Sequence, residues 1–181
     1  MPRPRGIVAQ RQAPLLEQYK HEPETAMITD RARTLSAELA DPLHGTVKPS
    51  WDTEVHWDFG VHRAVGGLHD RPVPGDILCA ALASCFESTL RMLTNQMGIT
   101  LTLLEVEVTA DVDVRGTLRV DRDVPVGFQA MRCAVKLETA EDASPEHMGK
   151  LMYLTEQCCV VMQTLRSGVD VTLSHNVEVS R

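Results

Sequence analysis

Hydrophobic and polar residues alternate along several stretches of the chain, and the alternation predicts β-strands. Successive side chains of a strand point to opposite faces of its sheet, so a period of two indicates a strand with one buried face. The first such stretch covers residues 51–59 and places both tryptophans on one face and the charged residues on the other. Further strands are predicted over residues 104–114 and 128–139, and a last strand begins at Val169.

Two longer stretches lack this alternation and predict helices. The first is apolar nearly all round in its first half, begins near Asp76 as its N-cap and runs to about Met97, where a glycine follows as a stop. The second begins at Ser144, with Pro145 in its first turn, and extends to Arg166. The order of strand, helix, two strands, helix and strand predicts an α+β fold, with antiparallel sheet packed around two long helices.

Residues 1–47 differ from the rest and are predicted to form an N-terminal arm, followed by one domain over residues 48–181. Prolines at positions 2, 4 and 14 are expected to keep the start irregular. A stripe of apolar residues predicts a helix over residues 24–39, which ends before Pro42. The arm either packs on a partner subunit or is a loosely held extension.

The composition is that of a globular chain with an aliphatic, methionine-rich core. Of the 181 residues, 43% are hydrophobic and 24% are charged, whereas only 4% are aromatic. The net charge of −7 argues against a nucleic-acid partner and against binding to an anionic membrane. The sequence shows no apolar targeting segment at its N terminus and no stretch of membrane-spanning length. We therefore expect a cytoplasmic protein, in which reducing conditions disfavour structural disulfides.

Cysteine is the residue type that carries the strongest candidate chemistry. The first predicted helix contains Cys85, and the second contains the adjacent pair Cys158 and Cys159. Two packed helices that each bear a thiol indicate redox chemistry by a cysteine couple, although cysteine is also a common core residue. Cys79 and Cys133 are predicted to be such core residues. The absence of C-x-x-C and H-x-x-x-H spacings argues against a structural zinc site.

A reactive Cys85 needs a nearby cation, because the thiolate is the nucleophilic form of cysteine. Cys85 lies roughly 13 Å along the helix from Asp76, whereas the helix dipole acts mainly within the first turn. Arg63 and Arg71 flank the loop before this helix and are the candidates to activate the thiol. The alternative is that both are solvated loop charges, as is expected for the neighbouring His62.

Periodicity alone leaves the second thiol open between Cys158 and Cys159. Steps of three and four residues place Cys158 on the apolar stripe of the second helix, and Cys159 lies about 100° round the helix from it. Adjacent cysteines rarely bridge each other, because the resulting ring is strained. The stripe consists of Met148, Leu151, Leu154, Cys158, Met162 and Leu165.

Two motifs resemble those of the OsmC/Ohr family, whose members are thiol-dependent peroxidases. The segment Pro-Gly-Asp-Ile-Leu-Cys-Ala-Ala-Leu-Ala-Ser-Cys at residues 74–85 resembles the family's first cysteine helix. The segment Thr-Glu-Gln-Cys-Cys-Val-Val at residues 155–161 is similar to the second cysteine motif, commonly Ala-Glu-Lys-x-Cys-x-Val. A match without gaps through Leu165 and Val169 places the family's second cysteine on Cys159.

The resemblance covers about residues 47–181. It implies an OsmC-like fold in which antiparallel sheets wrap around two long central helices in an intertwined homodimer, with both active sites at the subunit interface. It implies no metal, haem or flavin cofactor. It also implies that Cys85 is the peroxidatic thiol, Cys159 the resolving thiol and Arg63 the activating cation, with Arg71 as the second choice.

Two positions depart from the family pattern. Gly75 stands where classical members carry a Glu ten residues before the first cysteine, and Val160 stands where a Pro often follows the second. The resemblance is therefore to an OsmC-like branch rather than to a typical organic hydroperoxide resistance protein. It implies a peroxidase that reduces organic hydroperoxides and is restored by an external dithiol reductant. The alternative hypothesis is a non-catalytic protein that binds a small apolar ligand at the dimer interface.

Overall fold

The computed structural model combines helices and antiparallel strands and describes residues 6–35, 38–140 and 143–178. The strands are β1 (Arg33–Leu35), β2 (His44–Lys48), β3 (Trp57–Gly60), β4 (Leu101–Asp111) and β5 (Ala130–Thr139). The α-helices are α1 (Ile7–His21), α2 (Pro74–Met97), α3 (Val114–Thr117), α4 (Pro145–Cys158) and α5 (Val160–Ser167). One antiparallel sheet has the order β1-β2-β3, and the other consists of β4 and β5. The predicted α+β class is confirmed.

The core lies between the β4–β5 sheet and the helices α2, α4 and α5. Val106 of β4 is opposite Val135 of β5, and Val108 is opposite Cys133. Because side chains alternate along each strand, these residues form one apolar face that packs against the core. Both predicted strands are confirmed, although β4 ends at Asp111 and α3 follows where the strand was expected to continue. The most deeply buried core residues are Leu82, Phe86, Leu90, Leu151, Cys159 and Met162.

Helix α2 is confirmed, but its N-cap lies three residues earlier than predicted. The N-cap is Val73, and the Asp76 carboxylate accepts a hydrogen bond from the Val73 N–H over 2.9 Å. This contact satisfies a donor that would otherwise be unpaired at the start of the helix. Pro74 takes the first helical position, and Gly98 ends the helix with a φ of 70°. The prediction of Asp76 as the N-cap is therefore wrong.

The same helix is long and apolar enough, by length and composition alone, to cross a membrane. The prediction that no stretch reaches that length is wrong on this criterion. The evidence for a membrane span is weak, because buried core helices meet the same criterion. Leu82, Phe86 and Leu90 place one face of α2 in the core of this fold.

The N-terminal arm forms its helix at a different place from the predicted one. Helix α1 covers Ile7–His21 despite containing Pro14, so the prediction of an irregular start is wrong over these residues, whereas Pro2 and Pro4 lie outside the described residues. Its first turn docks on α2, where the Val8 N–H donates to Asn95 Oδ1 over 3.1 Å. The helix predicted over residues 24–39 is also wrong: the described residues there include a 3-10 turn and β1, and residues 36–37 lie outside the described residues. Without a surface to cover its apolar stripe, that segment gains nothing from a helical turn, and Ile28 is exposed.

The first sheet lies across the predicted boundary between arm and domain. Strand β2 includes both residues 47 and 48 and therefore crosses it. The strand predicted over residues 51–59 is confirmed only as β3, because residues 51–56 form bends and irregular chain. Strand β3 pairs with β2, which places Trp57 opposite Val47. Trp51 and Trp57 are 51% and 47% exposed, so the predicted apolar face is uncovered in a single subunit.

Two predictions fail towards the C terminus. The helix predicted from Ser144 to Arg166 is interrupted at Cys159, which separates α4 from α5. Ser144 and Pro145 do begin α4 as predicted. The last strand predicted from Val169 does not form, since residues 168–178 have no regular secondary structure. A strand needs a neighbour for its backbone hydrogen bonds, and this segment has none within one subunit as described.

Candidate functional site

Cys85 and Cys159 come together between the central helices. Cys85 lies on the middle of α2 and is half-buried, whereas Cys159 lies between α4 and α5 and is fully buried. The Cys85 side chain packs against the core cluster that contains Cys159. The two thiols that the family match singles out are therefore neighbours, with Cys85 on the side that reaches solvent. All five cysteines are free thiols.

The environment of Cys159 keeps its thiol protonated. Burial is the largest influence and, together with hydrogen bonding and charge from Cys85, raises the pKa of Cys159 to about 11. The backbone N–H groups of Met162 and Val161 act in the opposite direction and lower this pKa, although neither makes a full capping hydrogen bond with the sulfur. A neutral Cys159 thiol can donate a hydrogen bond to the sulfur of Cys85.

The break between α4 and α5 decides which member of the cysteine pair faces the core. Cys159 has φ −74° and ψ 104°, an extended conformation. Its N–H still donates to the Thr155 carbonyl over 3.0 Å, and its carbonyl accepts from the Gln163 N–H over 3.0 Å. Cys159 thus makes the last backbone hydrogen bond of α4 through its N–H and the first of α5 through its carbonyl. Its side chain turns inward, whereas Cys158 is exposed.

The apolar stripe predicted for the second helix is therefore wrong at Cys158. The observed stripe runs through Leu151, Thr155 and Cys159, all of which are fully buried. Thr155 can be buried because its hydroxyl donates to the Leu151 carbonyl over 2.8 Å. Leu154, which the predicted stripe includes, is only half-buried.

Neither candidate arginine contacts Cys85 within one subunit. Arg63 lies in a 3-10 turn, Arg63–Val65, and is exposed. Among the residues that the structure describes, no hydrogen bond or ion pair joins Arg63 to either thiol. Arg71 forms an ion pair with Asp58 of β3, with 3.5 Å between Nη1 and Oδ2. The structure therefore brings the two cysteines together but leaves both arginines apart from them.

Sequence reasoning missed a cluster that ties the loop before α2 to the first sheet. His44 of β2 lies between two carboxylates, with its Nδ1 2.8 Å from Asp41 and its Nε2 3.1 Å from Asp70. Hydrogen bonds that the His44 ring donates to these carboxylates raise the pKa of His44. Asp41 is only three residues before His44, but the local sequence does not mark the cluster, because its second carboxylate, Asp70, is 26 residues away and is brought to His44 by the fold. His62, expected to be solvated, also has partners: it accepts from the Ala64 N–H and lies against the His69 ring.

Cavities beside the central helices include two near the cysteines. One of about 680 Å3 lies between α2, β5 and the α4–α5 break, and its lining includes Cys133. The other, about 1150 Å3, is an open apolar groove beside the first half of α2, and its lining includes Cys79 and Gly75. Burial raises the pKa of both Cys79 and Cys133, as suits thiols used for packing. Among the described residues, no group of three or more His, Cys, Asp or Glu side chains is arranged to hold a metal ion.

Gly75, the position of the family Glu, borders this groove. A Cβ atom added there would lie 3.1 Å from the ring of Phe128, so a longer side chain would require that ring to move. The departure at Gly75 is therefore linked to packing, since Phe128 uses the space beside Gly75. Asp76 next to it is engaged by the Val73 N–H and lies 3.3 Å from His69.

Comparison with known proteins identifies an OsmC-like fold. A family model described as OsmC-like protein matches residues 67–174. No curated protein matches the sequence significantly. An OsmC-like protein from Mycoplasma pneumoniae has a similar structure, with a TM-score of 0.61 and 15% identity over 82% of this chain and 99% of the other.

Two organic hydroperoxide resistance proteins are also similar in structure. The protein from Elizabethkingia anophelis has a TM-score of 0.56 and 17% identity over 78% of this chain and 91% of its own. The protein from Legionella pneumophila has a TM-score of 0.56 and 22% identity over 83% of this chain and 98% of its own. At these identities the similarity shows the fold.

Proposed function

Because this chain belongs to the OsmC-like protein family, we propose that it is a thiol-dependent peroxidase that reduces organic hydroperoxides. The observation that carries the proposal is the contact between half-buried Cys85 and fully buried Cys159. A reactive thiol that reaches solvent and a second thiol beside it are what a two-cysteine redox cycle requires. The organic hydroperoxide resistance proteins of similar fold support the same substrate class.

The proposed cycle has three steps. The Cys85 thiolate attacks the distal oxygen of the hydroperoxide, the O–O bond breaks, and the alkoxide leaves and takes up a proton to give an alcohol. Cys85 is thereby oxidised to the sulfenic acid. The Cys159 thiol condenses with it, which forms the Cys85–Cys159 disulfide and releases water. An external dithiol then reduces this disulfide by exchange and becomes a disulfide itself.

The buried Cys159 suits the second step rather than the first. Its raised pKa keeps it neutral at physiological pH, so it does not compete with Cys85 for peroxide. The apolar residues around the pair, among them Phe86 and Met162, favour an organic hydroperoxide over hydrogen peroxide. We place the reaction in the cytoplasm, where thiol reductants are available.

The proposal includes a homodimer and an activating Arg63. Within one subunit Arg63 does not contact Cys85, so the assembled dimer has to bring a guanidinium to the thiolate. Uncovered apolar residues at Trp51, Trp57 and the segment after α5 support such an assembly. Arg71 is the second choice, because its ion pair with Asp58 already engages it.

Steady-state consumption of an organic hydroperoxide with a dithiol reductant tests the proposed function. We expect turnover by the wild type and by the exposed-thiol control Cys158→Ser. We expect Cys85→Ser to fall to the background rate, because it lacks the nucleophile. Equal rates for wild type and Cys85→Ser would rule the proposal out.

The open groove favours a second candidate, a protein that binds a small apolar ligand. The groove has a volume of about 1150 Å3, which is somewhat above that of a typical ligand pocket, and a largely apolar lining that includes Val61, Leu78 and Val108, which is the chemistry of a ligand site. Among the described residues, its lining does not include Cys85. Native mass spectrometry of the purified protein distinguishes the two: a co-purified apolar ligand and no reaction of the thiols with hydroperoxide would support the binder.

A further inference from the structure

The break that exposes the backbone at Cys159 is held by a side chain from the next helix. In a continuous helix the Val160 N–H would donate to the carbonyl of Glu156, four residues earlier. Here Gln163 Nε2 donates to that carbonyl over 2.7 Å, and the contact is partly buried. The amide of Gln163 thus replaces the backbone donor that the break removes.

A second contact to the same residue spans the break. Arg166 Nη1 lies 3.2 Å from the Glu156 carboxylate, and both side chains are about half exposed. An ion pair this exposed contributes little to stability by itself. The Gln163 contact is different, because it satisfies a backbone acceptor that would otherwise be left without its partner in a partly buried place.

We propose that Gln163 is a positioning residue for the resolving thiol: by occupying the Glu156 carbonyl, it holds the non-helical backbone of Cys159 that turns the sulfur towards Cys85. The two arrangements of the chain are alternatives. If the Val160 N–H took the carbonyl, α4 and α5 would join into one helix and the Cys159 side chain would change direction. Gln163 favours the broken arrangement. This inference rests on the proposed function, since it assigns a role in the disulfide-forming step of that cycle.

The direction of the sulfur matters because disulfide geometry is strict. The bond requires two sulfurs about 2.05 Å apart with Cα atoms within about 7 Å. A small change in the backbone at Cys159 therefore slows condensation with the Cys85 sulfenic acid. It leaves attack on the peroxide unchanged, because that step uses Cys85 on α2.

Single-turnover kinetics separate the two steps. The reduced protein is mixed with one equivalent of cumene hydroperoxide, quenched with a thiol-blocking reagent and weighed by intact-mass spectrometry. In Gln163→Met, which keeps the size of the side chain but removes the donor, we expect the sulfenic acid to form at the wild-type rate. We expect the disulfide to form roughly fivefold more slowly, as loss of one hydrogen bond would cause. Gln163→Lys keeps a donor and should restore most of the rate.

The matched control is Gln157→Met, which makes the same change at an exposed glutamine of α4 and should leave both steps unchanged. Should Gln163→Met fail to fold, Gln163→Glu takes its place, because an ionised carboxylate offers the Glu156 carbonyl no donor. Disulfide formation at the wild-type rate in the folded donor-free variant would overturn the proposal. Equal slowing in Gln163→Lys would also overturn it, because a donor would then be irrelevant.

A second oxidant separates this proposal from the peroxidase itself. Diamide converts the two thiols directly to a disulfide, while its N=N bond is reduced to a hydrazine. A slower diamide-driven disulfide in Gln163→Met, with no consumption of hydroperoxide by the wild type, would retain the role of Gln163 and reject the peroxidase. Normal peroxide turnover with equal disulfide rates in both proteins would reject the role of Gln163 alone.

Discussion

Cys159 is fully buried against Cys85, and the Cys85 side chain is among the influences that raise the pKa of Cys159 to about 11. The pair is asymmetric, because Cys85 remains half-buried and accessible from one side of α2. Cys85 is thus placed to meet a substrate first, and Cys159 is placed to react with Cys85 afterwards. The break after α4 contributes to this asymmetry, because Cys159 rather than Cys158 faces the core there.

The first prediction concerns which cysteine forms the disulfide. Peptide mapping after treatment with hydroperoxide should find a Cys85–Cys159 bridge, because Cys159 is buried beside Cys85 while Cys158 points to solvent. The bridge should be unchanged in Cys158→Ser and lost in Cys159→Ser. A Cys85–Cys158 bridge that persists in Cys159→Ser would show that the assignment is wrong.

The second prediction concerns the activating cation. Arg63→Met should lower kcat/KM for hydroperoxide on the order of a hundredfold, the usual effect of removing one electrostatic donor from an active site. Arg71→Met should have a smaller effect, since Arg71 is paired with Asp58. Initial rates at low peroxide concentration provide the comparison. A larger loss in Arg71→Met would reverse the assignment.

The third prediction concerns assembly. Light scattering at micromolar concentration should give twice the 20.0 kDa mass of one chain, because a second subunit can cover apolar residues that are exposed in one. Val171 and Leu173 are 87% and 86% exposed, so Leu173→Asp should weaken the dimer. The exposed residue Asp170 supplies a control, Asp170→Asn, that should leave the mass unchanged. A monomeric wild type contradicts the prediction.

The fourth prediction concerns pH. Hydrogen bonds that the His44 ring donates to Asp41 and, second, to Asp70 raise the pKa of His44 above its ordinary value of 6.5. The stabilisation from charged His44 is therefore complete below pH 6.5 and is lost as the pH rises through the raised value. Melting temperatures of wild type and His44→Asn should converge as the pH increases from about 6 to 8. A constant difference across this range, with exposed His56→Asn as the control, would exclude the effect.

The sequence predicts the parts of the fold whose burial is visible as a pattern. The apolar faces of helix α2 and of strands β4 and β5 pack on one another within one subunit, and each of these elements is confirmed. Apolar residues at Ile28, Val171 and Leu173 show similar patterns but have no described surface to pack on, so no helix or strand forms there. Periodicity shows that one face of an element is apolar, but it does not show which part of the protein covers that face.

The candidate site was predictable only in part, because two hydrogen bonds that the sequence pattern does not show determine the position of Cys159. The family match identifies Cys159, whereas periodicity leaves the choice open and places Cys158 on a stripe that includes Leu154 and not Thr155. Thr155 is buried through its hydrogen bond to the Leu151 carbonyl, which no count of apolar residues includes. The break at Cys159 depends on Gln163, seven residues after its acceptor Glu156. Contacts of this kind follow from the three-dimensional fold.

The most direct test of the account is the intact mass of the reduced protein after one equivalent of organic hydroperoxide. We expect the wild type to lose about two mass units per chain as the Cys85–Cys159 disulfide forms. We expect Cys159→Ser to gain about 16 mass units, because its sulfenic acid has no thiol to condense with. A wild-type mass that does not change, with the hydroperoxide left intact, would contradict the proposed peroxidase.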